Sequence, residues 1–259
     1  MTGNSAAEIG AAVASARRRG TMMAAPAGWP PAGSGAAEEI QAAAAAAMGE
    51  PVAGWKIGAT SREAQAIMGC DGPFFGPLFA PRVHEGGSSL PFVEGTLGVE
   101  CEYAFRISTD QPAVKSDYDD QSVADLVGAC HPALEIVGRR VRGDGFPSVN
   151  EAIADFALNV AFVHGPRIDG WRDADLAGTP VRGFVGEEET NAGHGSNVLG
   201  HPLKALAWLA NALAVRGTGL KAGDWVSTGT CLGVVPAAAG STVSGDYGRM
   251  GRVAVRFDG

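Results

Sequence analysis

The stretch 96-TLGVECEYAFRIS-108 sets two glutamates, Glu100 and Glu102, in a run otherwise made of strand-forming residues. In a strand, side chains two apart share a face, roughly 6.6 to 7 Å from each other along the chain. Glu100 and Glu102 therefore stand with Ala104 on one side, while Val99, Cys101, Tyr103 and Phe105 fill the other. Like charges side by side repel, and neither suits a core. Either that face is wet or something positive sits on it. A third acid, Glu135 in 132-PALEIVG-138, lies among Leu134, Ile136 and Val137, an equally apolar setting. Three such carboxylates suit the all-oxygen ligation, completed by water, of Mg2+ or Mn2+. The spacing leaves a second reading open: a solvated sheet face, with Glu135 paired to Arg139 or Arg140.

Outward from this stretch, short apolar runs punctuated by Gly and Pro continue: GWKIGA, GPLFAP, NVAFVHG, GDWVSTG and RVAVRF. They predict a β-rich body over 51–259. Residues 1–50 differ. The segment 5-SAAEIGAAVASARRRG-20 predicts a helix capped near Ser5 and ended by Gly20, and 36-AAEEIQAAAAAAMGE-50 a second one. Three further helices are expected, over 119-DDQSVADLVGAC-130, 149-VNEAIADFAL-158 and 201-HPLKALAWLANALAVRG-217. The first two would start from Asp and Asn caps. In the third, Pro202 suits the first turn and Leu203, Leu206, Ala210, Leu213 and Ala214 line one face. The expected class is α+β, a mixed β-rich barrel- or sandwich-like catalytic domain with a small N-terminal helical part.

Composition sets the company this chain keeps. A net charge of −8 disfavours nucleic acid and anionic membranes as partners. The cysteines (Cys70, Cys101, Cys130, Cys231) form no CxxC pair, which fits free thiols in a reducing cytoplasm. No signal peptide and no run long enough to span a bilayer are expected.

The ordered set GWKIGATS, GPFFGPLF, GVECEYAF, PALEIVGRR, GSNVLGHPLKALAWLANAL, LKAGDWVSTGT and GRVAVRF resembles the fumarylacetoacetate hydrolase superfamily. The likeness is to its 2-keto-4-pentenoate hydratase and 2-oxo-acid decarboxylase branch, and it runs from the first helix to Phe257. It implies that Glu100, Glu102 and Glu135 hold the divalent metal, Mg2+ or Mn2+. It also implies that Lys56 faces a substrate carboxylate or enolate, and that Thr230 in 227-STGT-230 faces the substrate carboxylate. Taken alone, Lys56 reads as a strand-edge lysine that snorkels to water, and STGT as a turn. A homo-oligomer and a small 2-oxo or 2-hydroxy acid substrate follow from the same resemblance.

The departures bear on chemistry. The hydratases carry Pro-Asp-Phe-Gly where this chain has Pro73-Phe74-Phe75-Gly76, and Asp-Asn-Ala-Ser where it has Asp155-Phe156-Ala157-Leu158. Phe74, Phe156 and Leu158 then give the pocket an apolar wall, and Asp155 keeps a carboxylate. His84, His131, His164, His194 and His201 are the candidate bases, with His194 in its Gly-rich loop foremost; Glu187, Glu188 and Glu189 read as a solvated edge. A chelated 2-oxo acid lets the cation stabilise an enolate. Hydration of a 2-hydroxy-dienoate also needs a proton donor and a base for water. Decarboxylation needs mainly the electron sink. The expectation is a metal-dependent hydratase, with a decarboxylase or C–C lyase as the alternative, and a non-catalytic 2-oxo-acid binder as the other class.

Overall fold

The computed structural model describes residues 4–112 and 117–259. Two helices open it, α1 (Ala6–Arg19) and α2 (Ser34–Met48). Ser5 and Glu8 form a reciprocal capping box on α1, and Gly20 ends it in the left-handed conformation. Next come β1 (Val52–Gly58), α3 (Arg62–Met68), β2 (Phe74–Phe79), β3 (Val83–Glu85) and β4 (Ser89–Leu90). A long pair follows, β5 (Thr96–Ile107) and β6 (Val127–Gly138). Then come α4 (Val149–Ala154), β7 (Asn159–His164), β8 (Pro180–Val185) and β9 (Glu188–His194). The chain finishes with α5 (Pro202–Val215), β10 (Trp225–Val235), β11 (Thr242–Asp246) and β12 (Arg252–Phe257).

The strands make two sheets, ordered β2-β1-β10-β5-β6-β7-β3 and β4-β12-β11-β8-β9. The class is mixed α+β: β1 runs parallel to β10, and antiparallel to β2. Val99, Cys101, Tyr103 and Phe105 of β5 are buried together with Val243, Val253 and Val255 of the second sheet and with Leu206, Leu209 and Leu213 of α5. That is the apolar face of the opening stretch, filled as its period of two demands. A second core joins Ile9 and Val13 of α1 and Ile40 of α2 to Phe74, Phe79, Val137 and Phe156. The N-terminal helices thus share a core with the large sheet.

Three expectations change. Within 119–130 only Ser122–Leu126 is helical, as a 3-10 turn, and Val127 onward already belongs to β6. Pairing with β5 wins there, because the register runs on from Tyr103 opposite Pro132 to Ile107 opposite Val127. The helix at 149 is capped by Ser148, with Glu151 completing a capping box, rather than by Asn150. Gly195–Val215 is apolar and long enough by composition to cross a membrane, against the expectation of no such run. Its α-helix, however, has 14 residues, about 21 Å against a hydrocarbon layer of about 30 Å. Its leucines are core.

Candidate metal centre and its cavity

Strand pairing assembles the acids. Glu100 lies directly opposite Glu135 across β5 and β6, and Glu102 opposite Ala133. One carboxylate oxygen from each of Glu100, Glu102 and Glu135 lies within 4.8 Å of the others. Like charges directly opposite in a sheet destabilise it, so this register needs a counter-charge. Glu102 and Glu135 are fully buried, while Glu100 keeps 16% of its side chain open toward a cavity. Burial pushes Glu100 up to about 7, with Glu135 adding to the rise and Lys56 opposing it. Burial, then Glu135 and Glu100, hold Glu102 well above the usual carboxylate range.

The neighbours leave donor atoms free. Glu102 Oε2 accepts from Ser227 Oγ (2.5 Å) and from the Gly229 N–H (2.9 Å), while its Oε1 is buried without a hydrogen-bond partner. Gly229 has φ +102°, and a Cβ there would lie 2.1 Å from Thr60 Oγ1; only glycine lets this N–H face the acid. An orphaned carboxylate oxygen beside two more acids is the donor set a hard divalent cation takes. The residues present fit such an ion.

Lys56 does not snorkel. Its Nζ is 3.0 Å from Glu135 Oε2 and 4.0 Å from Glu100 Oε2, and it donates to the Ala157 carbonyl at 3.1 Å. Burial pulls its ammonium down, but Glu135, Glu100 and Glu102 outweigh that and carry it up to about 12. Phe156, Ala157 and Leu158 all have positive φ (53°, 55° and 63°). Such a left-handed turn is costly for L-residues, and here it aims a carbonyl at Lys56. Behind Glu135, the Asn159 amide donates to Oε1 at 2.8 Å, and its own oxygen accepts from Arg17 at 3.0 Å. Arginine only donates, so it fixes which way the amide points. Arg139 and Arg140 do not pair with Glu135: Arg139 lies 3.7 Å from Glu151, and the Arg140 N–H donates to Asp155.

A cavity of about 1040 Å3 opens over this floor, lined by Lys56, Glu100, Phe74, Leu158 and Thr230 among others. Thr230 lies opposite Glu102, and its hydroxyl donates to the Gly233 carbonyl at 2.8 Å. Three of the sequence candidates are not brought to this wall. Asp155 is buried beside Arg140, and burial raises it to about 6. Phe156 packs edge-on against Phe79 with the Arg17 guanidinium over its ring. His194 is exposed at the end of β9. The other histidines are also away from the lining; His201 caps α5, and His164 stacks on Trp225. Sequence reasoning missed Asn159 and Arg17, and it put Ser227 in a turn, whereas 227–230 lies within β10 and Ser227 holds Glu102. The signal for Asn159 was an amide opening an apolar strand; Arg17 gave none.

No family model matches the chain. It is 35% identical to a 2-keto-4-pentenoate hydratase from Burkholderia vietnamiensis, over 81% of this chain and 79% of that one. It is 30% identical to a 4-oxalocrotonate decarboxylase from Pseudomonas putida, over 81% and 78%. Among solved structures, 4-oxalocrotonate decarboxylase from Pseudomonas putida G7, complexed with magnesium and adipate, superposes with a TM-score of 0.85 at 25% identity, covering 97% of both chains. A fumarylpyruvate hydrolase from Pseudomonas aeruginosa, in complex with Mn2+ and pyruvate, shares the fold at a TM-score of 0.57, 16% identity, and 81% and 91% coverage. The chain belongs to the fumarylacetoacetate hydrolase superfamily, in the branch of the 2-keto-4-pentenoate hydratases and 4-oxalocrotonate decarboxylases.

Proposed function

We propose that the protein is a divalent-metal-dependent hydro-lyase that adds water to a 2-hydroxy-dienoate. One observation carries this: Glu100 and Glu135 face each other across β5 and β6, with Glu102 beside them, and Glu100 reaches the floor of an open cavity. Glu100, Glu102 and Glu135 would hold the ion. Bound there, Mg2+ or Mn2+ supplies a Lewis acid for a 2-oxo acid and for the negative charge that develops on its oxygen. Lys56, held protonated by its carboxylate neighbours, contributes fixed positive charge and a proton to donate. It is no base. Thr230, on the wall opposite Glu102, would donate its hydroxyl to the substrate carboxylate by turning it from the Gly233 carbonyl. The reaction gains one water overall. The enol loses its O–H proton and the terminal carbon takes one up, giving the 2-oxo-3-enoate; hydroxyl then joins C4 and a proton C3.

A specific feature favours decarboxylation as the second reading. Apart from Glu100, the carboxylate among the described lining residues is Glu63, exposed on α3, and Phe74 stands where the hydratases carry an acid. A site short of basic groups beside Glu100 still serves a reaction that needs only an electron sink. The test is the ultraviolet loss of 2-hydroxypenta-2,4-dienoate with and without Mg2+, run beside CO2 release from an unsaturated 2-oxo dicarboxylate. Metal-dependent loss of the dienoate is expected. CO2 release without it makes the protein a decarboxylase, and neither reaction, with binding of a 2-oxo acid retained, makes it a binder. A cytoplasmic setting, supported by free Cys70, Cys101, Cys130 and Cys231, and a homo-oligomeric assembly belong to the same proposal.

A further inference from the structure

The cavity is built for more than a five-carbon acid. Its charges sit at the floor (Lys56, Glu100) and at one side of the entrance, where Arg62 and Glu63 neighbour each other in the first turn of α3 and offer no net charge. The apolar part of the wall is Phe74, Leu158, Val137 and Met68, and it shares the lining with polar Thr60, Gln65, Asn191 and Asn197. Phe74 is seated firmly, because its ring fills the space over Gly58, where a Cβ would lie 2.5 Å from Cζ. At the mouth stand Ile67, 60% exposed, and Phe146, 43% exposed. Among the described residues only Val52 and Val215 are comparably exposed large apolar side chains. Ile67 lies on α3 and Phe146 in the segment before α4, so separate parts of the chain bring their apolar side chains to one opening. Exposed apolar groups gathered at a pocket mark a binding surface. The volume, about 1040 Å3, is at the upper end of the roughly 300–1,000 Å3 typical of sites for drug-sized ligands.

We propose that this cavity takes 2-oxo or 2-hydroxy-dienoic monoacids whose tail, beyond the reacting carbons, is a bulky alkyl or aryl group lying along Phe74 and Leu158 toward Ile67 and Phe146. This rests on the metal-centred reading above and names the substrate class for it. An apolar tail laid along Phe74 and Leu158 loses water from both surfaces, which it would not do against Asn191 and Asn197 in the same lining. A second carboxylate at the end of the tail would be desolvated there without a net positive partner.

The experiment is calorimetric titration of saturated 2-oxo acids in the presence of Mg2+: 2-oxopentanoate, 6-phenyl-2-oxohexanoate and a 2-oxo dicarboxylate of similar length. None of them can be hydrated, so binding is read apart from turnover. The phenyl acid is expected to bind at least about tenfold more tightly than the short acid. Ile67→Ser and Phe146→Ser, both at exposed positions, should shrink that ratio. Equal affinity across the series, or tightest binding of the dicarboxylate, overturns the proposal. So does an unchanged ratio in both variants together with a changed sedimentation coefficient, which makes the mouth an interface between copies of the chain. A surviving affinity gradient without turnover of any dienoate sinks the hydro-lyase reading and upholds this one.

Discussion

Glu100 opposite Glu135 stores a repulsion that a cation relieves, and the relief is measurable. Glu102→Ala removes the oxygen that has no other partner; it should weaken Mg2+ or Mn2+ binding by at least tenfold in calorimetry and abolish turnover, with the circular dichroism unchanged. Protonation gives a second handle. Glu100 titrates at about 7 in the fold against an ordinary 4.5, so the folded chain holds a proton that the unfolded chain has released. Its contribution to stability is whole below pH 4.5 and lost as the pH rises through about 7. The Tm of the metal-free protein should fall across that window, Glu100→Gln should flatten the fall, and Mg2+ should stabilise more at its upper end, where no proton has to be displaced. Lys56→Met should cost at least about a hundredfold in turnover. It should also lower the metal-free Tm, because Glu135 then loses its buried partner; a variant as stable and active as the parent would return Lys56 to a passive role. That these four residues would meet was legible, because a charge in an apolar strand is rare and demands a reason. Asp155 and His194 lie outside the cavity lining, and their placement was not legible, since a loop or cap position says nothing of which way a side chain faces. Ser227 and Asn159 stayed hidden because hydroxyls and amides are common on strands.

The left-handed turn at 156–158 and strand β7 work together on the Lys56–Glu135 pair. A Cβ at Gly76 would lie 2.7 Å from the Phe156 backbone and 2.8 Å from the Ala157 Cβ. Gly76→Ala should therefore push that turn away from Lys56, at about 1 to 3 kcal/mol in denaturant melts and with a matching loss of turnover. Arg17 on α1 and Asn159 on β7 hold the Glu135 carboxylate from behind. Asn159→Leu should lower metal affinity by about 10- to 100-fold and stability by about 1 to 3 kcal/mol. Metal affinity unchanged in calorimetry would mean that Glu135 is oriented by Lys56 alone. Local sequence foretold the strongly patterned elements. Caps and periodicity placed α1, α2 and α5, and apolar runs placed β1, β2, β5, β7, β10 and β12. The strand β6 was cut short because Val127–Cys130 carries no alternation of its own and is extended by its partner β5. The strands β3, β8, β9 and β11 have polar or glycine-interrupted sequences and β4 only two residues, so only sheet pairing makes them extended.

At the scale of the whole molecule, the two-sheet arrangement and the strand order lay beyond what local patterns carry, since order is a matter of which distant runs meet. The resemblance supplied the class, not the register. We propose the division at residue 50 as one of composition rather than of folding, because α1 and α2 bury Ile9, Val13 and Ile40 against Phe79 and Phe156. A chain of 51–259 alone should expose that face and fail to melt cooperatively in calorimetry; a sharp transition with metal binding intact would make the helices an appendage. Strand β10 has another consequence. It lies between β1 and β5, yet the chain makes it more than a hundred residues after β5 ends. During synthesis β1 and β5 therefore wait with open edges for a central neighbour, a slow, non-local closure. Ser227 and Gly229, the groups that hold Glu102, arrive on that same strand. On the ribosome, the candidate metal centre cannot close until β10 has been made.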